Sequence, residues 1–389
     1  MSSPRAERIV AAALDAGGAF LKVVQPNDVG VTGGHQKGFH LSKRVWSYFT
    51  PQEPERGINH NHPIQVEWAN GTVTNSIIKW YGTGTRSEYR MTSFNRIRNF
   101  PYLSPERLGG VLVLVARSGA PWYADIFESD VDVEHVTAAL GVSLDDSSWA
   151  LFSAAGRDAR SSESTDECER TAFDAEADRL AAFPPTRVMS RTAQEIVASC
   201  WRGSPESADD LLLHLVRAEY DLFKAVERRL VMSEIAHGFD SVDEFVRTAG
   251  TITNRRKSRA GHALENHFEH ILEQSGIPFE SQPIIDETKP DILIPGAKEY
   301  YDTTFDVNGL RLVGVKTTCK DRWRQVLSEG RRRGLPRFIL TLQKGVSSQQ
   351  MREMRGHDLR LVVPQPLHEH FAPDDRRYLL TVGDFLAHA

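Results

Sequence analysis

Two short segments carry residue types suited to breaking a phosphodiester bond. Pro290-Asp291 opens an apolar strand pattern, Ile292-Leu293-Ile294, and Val315-Lys316 lies near the end of a second one over 310–317. Twenty-five positions separate Asp291 from Lys316, and two neighbouring strands would bring them side by side. A carboxylate there would hold a divalent ion, and hard oxygen ligands suit magnesium. Such an ion polarises a phosphate and lowers the pKa of its water. A lysine beside it stabilises developing negative charge and helps position or deprotonate the nucleophile. The pattern is PD-(x)n-(D/E)-x-K with one departure: Gly314 stands where the second acid belongs. By itself so loose a pattern is met as well by an aspartate capping a turn and a lysine at a solvated strand end.

Two residues are candidates for the missing carboxylate. Glu265 sits beside Leu264 on a helical pattern over 258–274, whose apolar stripe includes Ala263, His267, Phe268 and Ile271. Its place at the edge of that stripe suits a metal ligand, whereas Glu269 fits a solvated helix face. Glu329 lies thirteen positions after Lys316, on a helix expected over 321–330. It would serve if that helix folds back toward the strand end. Lys320, Asp321, Arg322 and Arg324 open the same helix. Arginine and lysine donate to guanine O6 and N7, and aspartate accepts from cytosine N4. Basic residues at a helix N-terminus oppose the macrodipole, which favours a functional reason over plain surface charge.

The elements that must position these groups fall into two kinds. Short β-branched or aromatic runs at 20–24, 64–68, 72–81, 110–115 and 122–127, bounded by Gly, Asn and Pro, predict strands of a small barrel or sandwich. Residues 146–182 break the pattern, are rich in Ser, Ala, Asp and Glu, and read as a linker with a short helix near 171–180. Helices are expected over 209–230, 241–249 and 258–274, the second with a Ser-Val-Asp-Glu start that resembles a capping box. Strands at 291–294, 310–317, 338–343 and 359–363 complete an α/β sheet layered with helices. At 389 residues the chain exceeds what one core usually supports, so two domains are expected.

Composition narrows the function classes. The chain is 40% hydrophobic and 25% charged, with no apolar run long enough to span a membrane. Its first 20 residues read as an amphipathic helix and not as a signal peptide. Cys168, Cys200 and Cys319 are far apart and odd in number, which predicts neither a disulfide framework nor a zinc site and fits a reducing cytoplasm. The net charge of −5 argues against a nucleic-acid partner only as an average. Residues 254–260 carry four basic side chains and no acid, and 316–333 carry seven basic against two acidic, while 157–180 holds eight acids against four arginines. Local basic patches, not the sum, decide phosphate contact.

Longer runs are more specific than the loose motif. Thr253-Asn254-Arg255-Arg256-Lys257, Lys289-Pro290-Asp291, Val315-Lys316-Thr317-Thr318-Cys319-Lys320-Asp321-Arg322, Arg352-Glu353-Met354-Arg355 and Arg360-Leu361-Val362-Val363-Pro364 resemble the EcoRII family of restriction endonucleases. The loop over 27–36, Asn-Asp-Val-Gly-Val-Thr-Gly-Gly-His-Gln, is similar as well. The likeness covers nearly the whole chain, is close in the last 180 or so residues, and departs at Lys37, Thr85 and the linker.

The resemblance implies an α+β multidomain protein: a B3-like β pseudo-barrel over 1–145, a linker over 146–182, and a PD-(D/E)xK nuclease domain over 183–389. It implies a cytoplasmic, bacterial, homodimeric, magnesium-dependent type II enzyme that cuts double-stranded DNA at a CC-W-GG or CC-N-GG type of site. Asp291 and Lys316 would be catalytic, Tyr300 falls where the family has an active-site tyrosine, and Asp291 and Glu265 would bind metal. Lys320, Asp321 and Arg322 match the segment that reads the CC:GG pairs, and Arg217 matches an arginine linked to flipping of the central bases. The N-terminal domain would bind a second copy of the site as an effector, through one arm with His35, Gln36 and Lys37 and another with Arg86, Glu88 and Arg90. A catalytically inactive DNA-binding regulator is the alternative that Gly314 leaves open.

Overall fold

Ser3 starts the first helix. Its hydroxyl accepts from the Ala6 amide, and Pro4 pre-sets the first turn of α1 (Pro4–Ala16). A computed structural model describes residues 2–32, 38–85, 87–94, 97, 99–144, 147–154, 167–201 and 207–389. The chain divides into two compact units: residues 1–161 with 344–352 and 369–377, and residues 162–343 with 353–368 and 378–389.

In the first unit, α1 is followed by β1 (Gly18–Val23), α2 (Pro26–Val29), β2 (Phe39–Leu41), α3 (Trp46–Phe49), β3 (His60–Trp68), β4 (Val73–Tyr81), β5 (Glu88–Thr92), β6 (Val111–Val115), β7 (Trp122–Phe127), α4 (Asp130–Leu140) and β8 (Trp149–Ser153). The eight strands form one sheet in the order β2-β5-β4-β3-β7-β6-β1-β8. Every pairing in it is antiparallel except β3 with β7, where Val66 lies opposite Trp122. The sheet curls into the expected pseudo-barrel. Its inside is an aromatic core around Phe20, Phe39, Trp68, Trp80 and Tyr89, and α1 and α4 cover Leu21, Val111 and Val113 on the opposite face. Strands buried on both faces lose the alternation of a half-exposed sheet, so β1 and β6 are buried at every residue.

One charge pair lies inside this unit. Lys22 and Asp28 are both buried, and the Lys22 ammonium is 2.5 Å from Asp28 Oδ2. The Asp28 carboxylate also accepts the amides of Gln25 and His40, at 2.8 Å each. The aspartate therefore joins β1, α2 and β2.

The second unit begins with four helices: α5 (Glu167–Arg179), α6 (Thr186–Cys200), α7 (Ala208–His237) and α8 (Val242–Gln274). The remainder is β9 (Glu280–Ser281), β10 (Ile292–Ile294), α9 (Ala297–Tyr301), β11 (Arg311–Lys316), α10 (Trp323–Leu327), β12 (Arg337–Thr341), the end of α11 (Ser348–Gly356), whose first residues belong to the first unit, β13 (Leu359–Val362), β14 (Leu379–Leu380) and α12 (Val382–Ala387). The sheet order is β14-β13-β12-β11-β10-β9. β9, β10 and β11 are antiparallel neighbours, and β11 through β14 run parallel. Ser207 and Ser241 cap α7 and α8 by accepting the amides of Asp210 and Glu244. Asp209, buried at the start of α7, accepts the amides of Gln365, Val382 and Gly383 and so ties α7 to α12.

Four sequence expectations change. The helices predicted over 241–249 and 258–274 are one continuous α8, because Gly250 lowers helix propensity without breaking a helix as proline does. The stretch 146–182 is not all linker: β8 pairs with β1, and α5 packs against α6 and α7. The short helix expected near 171–180 is α5, which starts four residues earlier and buries Phe173 and Ala177 in the helical core. Cys168 and Cys200 form a disulfide with Cα atoms 5.7 Å apart. Their separation of 32 residues says nothing about the packing of α5 on α6 that brings them together. The helix expected over 321–330 is only α10, so Lys320, Asp321 and Arg322 lie in the turn ahead of it.

Breaking a buried charge pair from one side leaves the other charge uncompensated, at about 3 kcal/mol or more. Asp28→Ala should therefore lower the stability of the first unit by about 3 kcal/mol, read from the denaturant midpoint. A loss below about 1 kcal/mol would mean that Lys22 finds another partner or solvent.

Candidate active site

The site grows from the antiparallel pairing of β10 with β11. Ile292 lies opposite Val313, which sets Asp291, one residue earlier, beside the end of β11. Asp291 Oδ2 accepts the Val315 amide and the Lys316 ammonium, each at 2.6 Å. Both side chains are mostly but not fully covered, 14% exposed for Asp291 and 16% for Lys316. The two strands thus deliver the expected acid and lysine as a direct ion pair.

Glu265 and Glu329 reach the same pair from opposite sequence directions. Glu265 projects from α8. Burial first, and then the Asp291 charge, push its carboxyl above the usual carboxylate range, while His262 and Lys316 pull the other way. Its Oε2 accepts the Gln282 side-chain amide at 3.3 Å, and the Gln282 backbone amide donates to the Asp291 carbonyl at 2.8 Å. Gln282 therefore links the Glu265 carboxylate to the Asp291 backbone, a role with no local sequence signal. Glu329 follows α10. Burial and then the Asp291 charge push it up to about 7, against the pull of Lys316 and Arg337. Its Oε2 is buried without a hydrogen-bond partner.

Gly314 has a steric cause. A Cβ at this position would lie 2.4 Å from Val326 Cγ2. Val326 is fully buried and β-branched, so it cannot swing aside. The position normally held by an acid is occupied by α10, the helix that leads to Glu329.

Among the described residues, no three His, Cys, Asp or Glu side chains close into a ready metal cage. The Lys316 ammonium instead neutralises Asp291. By chemistry, Asp291 and Glu265 offer the hard carboxylate oxygens that a divalent cation takes, and one buried Glu329 oxygen has no hydrogen bond of its own.

The other expected residues spread wider. Tyr300 is buried on α9, and its hydroxyl donates to Asp286 and accepts the amides of Arg331 and Arg332 at 2.8 and 3.0 Å. Lys320 is buried, Asp321 is exposed and Arg322 is half-buried. Arg324 stacks on Trp323, 4.4 Å from the ring centroid, and pairs with Glu353 at 2.9 Å. Arg217 on α7 is 3.8 Å from Asp221. Glu269 is no solvated residue: it is buried, accepts the Ser281 hydroxyl at 2.6 Å and pairs with Arg187 at 2.9 Å. In the first unit Glu88 lies 3.6 Å from both Arg90 and His40. His35, Gln36, Lys37 and Arg86 lie outside the described residues.

The chain is 34% identical to the type II restriction enzyme EcoRII of Escherichia coli, over 95% of this chain and 93% of that protein. The chain belongs to the EcoRII family of type II restriction endonucleases. The family descriptions "EcoRII C terminal" and "Restriction endonuclease EcoRII, N-terminal" match residues 223–386 and 14–136. The type II restriction enzyme SsoII of Shigella sonnei is 26% identical over 35% of this chain and 47% of its own length. Solved structures similar to this EcoRII-family chain include the restriction endonuclease PspGI with substrate DNA, at TM-score 0.43, 18% identity, and 53% and 91% coverage of this and that chain. Another is metal-depleted Ecl18kI with uncleaved, modified DNA, at TM-score 0.45, 18% identity, and 57% and 82% coverage.

Two measurements test the packing and the charge coupling. Gly314→Ala should destabilise the second unit by about 1–3 kcal/mol through overpacking, and Val326→Ala in the same chain should recover most of it. A neutral Gly314→Ala would remove the steric reason for the glycine. A carboxyl that holds its proton more tightly in the folded chain adds stability in full below its ordinary value of 4.5, and that stability is lost as pH climbs through about 7. With chelator present, wild-type stability should thus fall between pH 5 and 8 relative to Glu329→Gln. A pH-independent difference between the two melting curves would place Glu329 in solvent.

Proposed function

We propose that the protein hydrolyses double-stranded DNA at a CC-W-GG or CC-N-GG type of site in a magnesium-dependent reaction, and that effector DNA bound to the N-terminal unit activates it. The observation that carries this reading is the 2.6 Å Asp291–Lys316 pair, with Glu265 and Glu329 near enough that burial and then the Asp291 charge raise both carboxyls above their ordinary value. A lysine among three carboxylates suits charge that develops on a phosphate, and it distinguishes an active nuclease from an inert DNA-binding relative.

Asp291 and Glu265 would hold the magnesium, with Glu329 supplying the carboxylate absent at position 314. When bound, the ion polarises the scissile phosphate and makes nearby water more acidic. The chain's own groups do the rest. Asp291 holds Lys316 at the end of β11, so the ammonium is aimed before DNA arrives. Lys316 then stabilises negative charge on the phosphate and orients the attacking water. The products carry a 5′-phosphate and a 3′-hydroxyl.

For recognition, Lys320, Asp321 and Arg322 in the turn before α10, with Arg324 in its first turn, offer the donors and acceptor that CC:GG pairs present in the major groove. Arg217 would act where central bases are flipped. The tip of the α7–α8 hairpin exposes Met232, Ile235, Val242, Phe245 and Val246, an apolar surface that favours a homodimer. In the N-terminal unit, Glu88 and Arg90, with His35, Gln36, Lys37 and Arg86, would contact effector DNA. Among the described residues no helix is long and apolar enough to cross a membrane. A bacterial cytoplasm, where such DNA is met, is part of the same reading; it rests on the DNA substrate and no longer on the cysteines, two of which form a disulfide.

Lys316→Ala should lower single-turnover cleavage about 100-fold or more while DNA affinity holds. Cleavage near the wild-type rate would remove Lys316 from the reaction. A short duplex carrying the site, added in trans, should speed cutting of a single-site plasmid. No stimulation at any duplex concentration would refute effector activation, and mapping the cut ends identifies the site.

A further inference from the structure

Glu329 presents a problem of positioning. One of its carboxylate oxygens is buried with no hydrogen bond, so the side chain is not anchored through that oxygen. The backbone around it must be held instead. Arg337 binds the carbonyls of Glu329 and Gly330 at 3.3 and 2.8 Å. The Gly330 amide donates to Thr288 Oγ1 at 3.2 Å. Gly330 has φ +66°, and a Cβ there would stand 3.3 Å from the Tyr300 hydroxyl. The next two amides, of Arg331 and Arg332, both donate to that hydroxyl.

The Tyr300 hydroxyl is fully used by these contacts. A phenol has one proton to donate and two lone pairs. Its proton goes to Asp286, and its lone pairs take the two amides. Burial and the Asp286 hydrogen bond both raise its pKa, so the proton stays on. No bonding capacity is left for a phosphate or a water.

Asp286 is held as tightly. Ile285 and Thr288 bridge each other through a two-residue turn whose central residues, Asp286 and Glu287, have φ of +48° and +65°. Neither is glycine, so each holds a left-handed conformation that its Cβ disfavours. Such strain persists where neighbours over-determine it. Here the neighbours are the Tyr300 hydroxyl, the Arg331 amide at 2.7 Å, and the Tyr301 hydroxyl, which accepts the Asp286 amide at 3.0 Å.

We propose that Asp286 and Tyr300 form a latch that fixes the turn 330–332 and thereby holds Glu329 against Asp291 and Lys316. Tyr300 is then a positioning residue and not one that touches DNA. The latch rests on the reading of Glu329 as the carboxylate that replaces one at position 314.

The test uses the full-length protein with Tyr300→Phe, Asp286→Asn, Glu329→Gln and the Tyr300→Phe/Glu329→Gln pair, each checked for an unchanged melting temperature. Three quantities are measured: single-turnover cleavage at saturating protein with magnesium, DNA affinity with calcium in place of magnesium, and amide hydrogen exchange over 330–332. Tyr300→Phe and Asp286→Asn should each slow cleavage roughly 10- to 100-fold, as expected for a misplaced group. DNA affinity should stay within about 2-fold, and protection of the Arg331 and Arg332 amides should be lost. The pair should be no slower than Glu329→Gln alone, because both changes remove one function. Multiplying effects in the pair would put Tyr300 at the reacting atoms and overturn the latch. Full speed in both Tyr300→Phe and Asp286→Asn, with Glu329→Gln inactive, would also overturn it while leaving the site intact. Full speed in Glu329→Gln would instead overturn the reading of the site, and the latch with it.

Discussion

One carboxylate oxygen, Asp291 Oδ2, accepts both the Val315 amide and the Lys316 ammonium. β10 is only three residues long, and so short a strand holds its neighbour through few ladder bonds. The Asp291 contact extends that pairing past the end of the strand. It also gives the half-buried lysine the opposite charge it needs, since an unpaired buried charge is costly. The pair is thus a structural clamp as well as the proposed chemical centre. Burial and then the charge on Asp291 raise the pKa of Glu265 and of Glu329, so the protonation of the site is shared across three elements.

Gly314 and Glu329 are two parts of one solution. With no side chain at 314, α10 can sit on β11 with Val326 against the bare backbone. The chain leaving α10 then places Glu329 near Asp291. A carboxylate on the strand and a helix this close would compete for the same volume. On the reading proposed above, the residue beyond the helix takes over the part of the strand acid, and the backbone of 329–332 is bound by Thr288, Arg337, Asp286 and Tyr300.

The longer helices supply the rigid frame. α7 and α8, of 30 and 33 residues, carry Arg217 and Glu265. Asp209 ties α7 to α12, and the contact of Glu219 with His267 at 2.9 Å joins α7 to α8. The Cys168–Cys200 disulfide fastens α5 to α6, so residues with the composition of a linker belong to the helical layer. The N-terminal unit has its own aromatic core and its own buried pair, Lys22 with Asp28, and is held together independently of the catalytic chemistry.

The order of strands and helices was legible because hydrophobic periodicity is written into neighbouring residues. So were Asp291, Lys316, Glu265 and Glu329 as chemical types, and the family, which rests on long exact runs. Boundaries were less so: α8 runs through Gly250, and α10 starts after the basic cluster that was expected to open it. Glu269 looked solvated from its place on the helix, yet Ser281 and Arg187 bury it. Gln282, Asp286 and the disulfide carried no local mark at all. Which groups are present and which face of each element is apolar can be read from side chains a turn or a residue apart. Which carboxylates lie near Lys316, why position 314 is glycine and what binds the chain around Glu329 emerge only once the elements pack. Steric exclusion and charge coupling depend on distances in space that spacing along the chain does not contain.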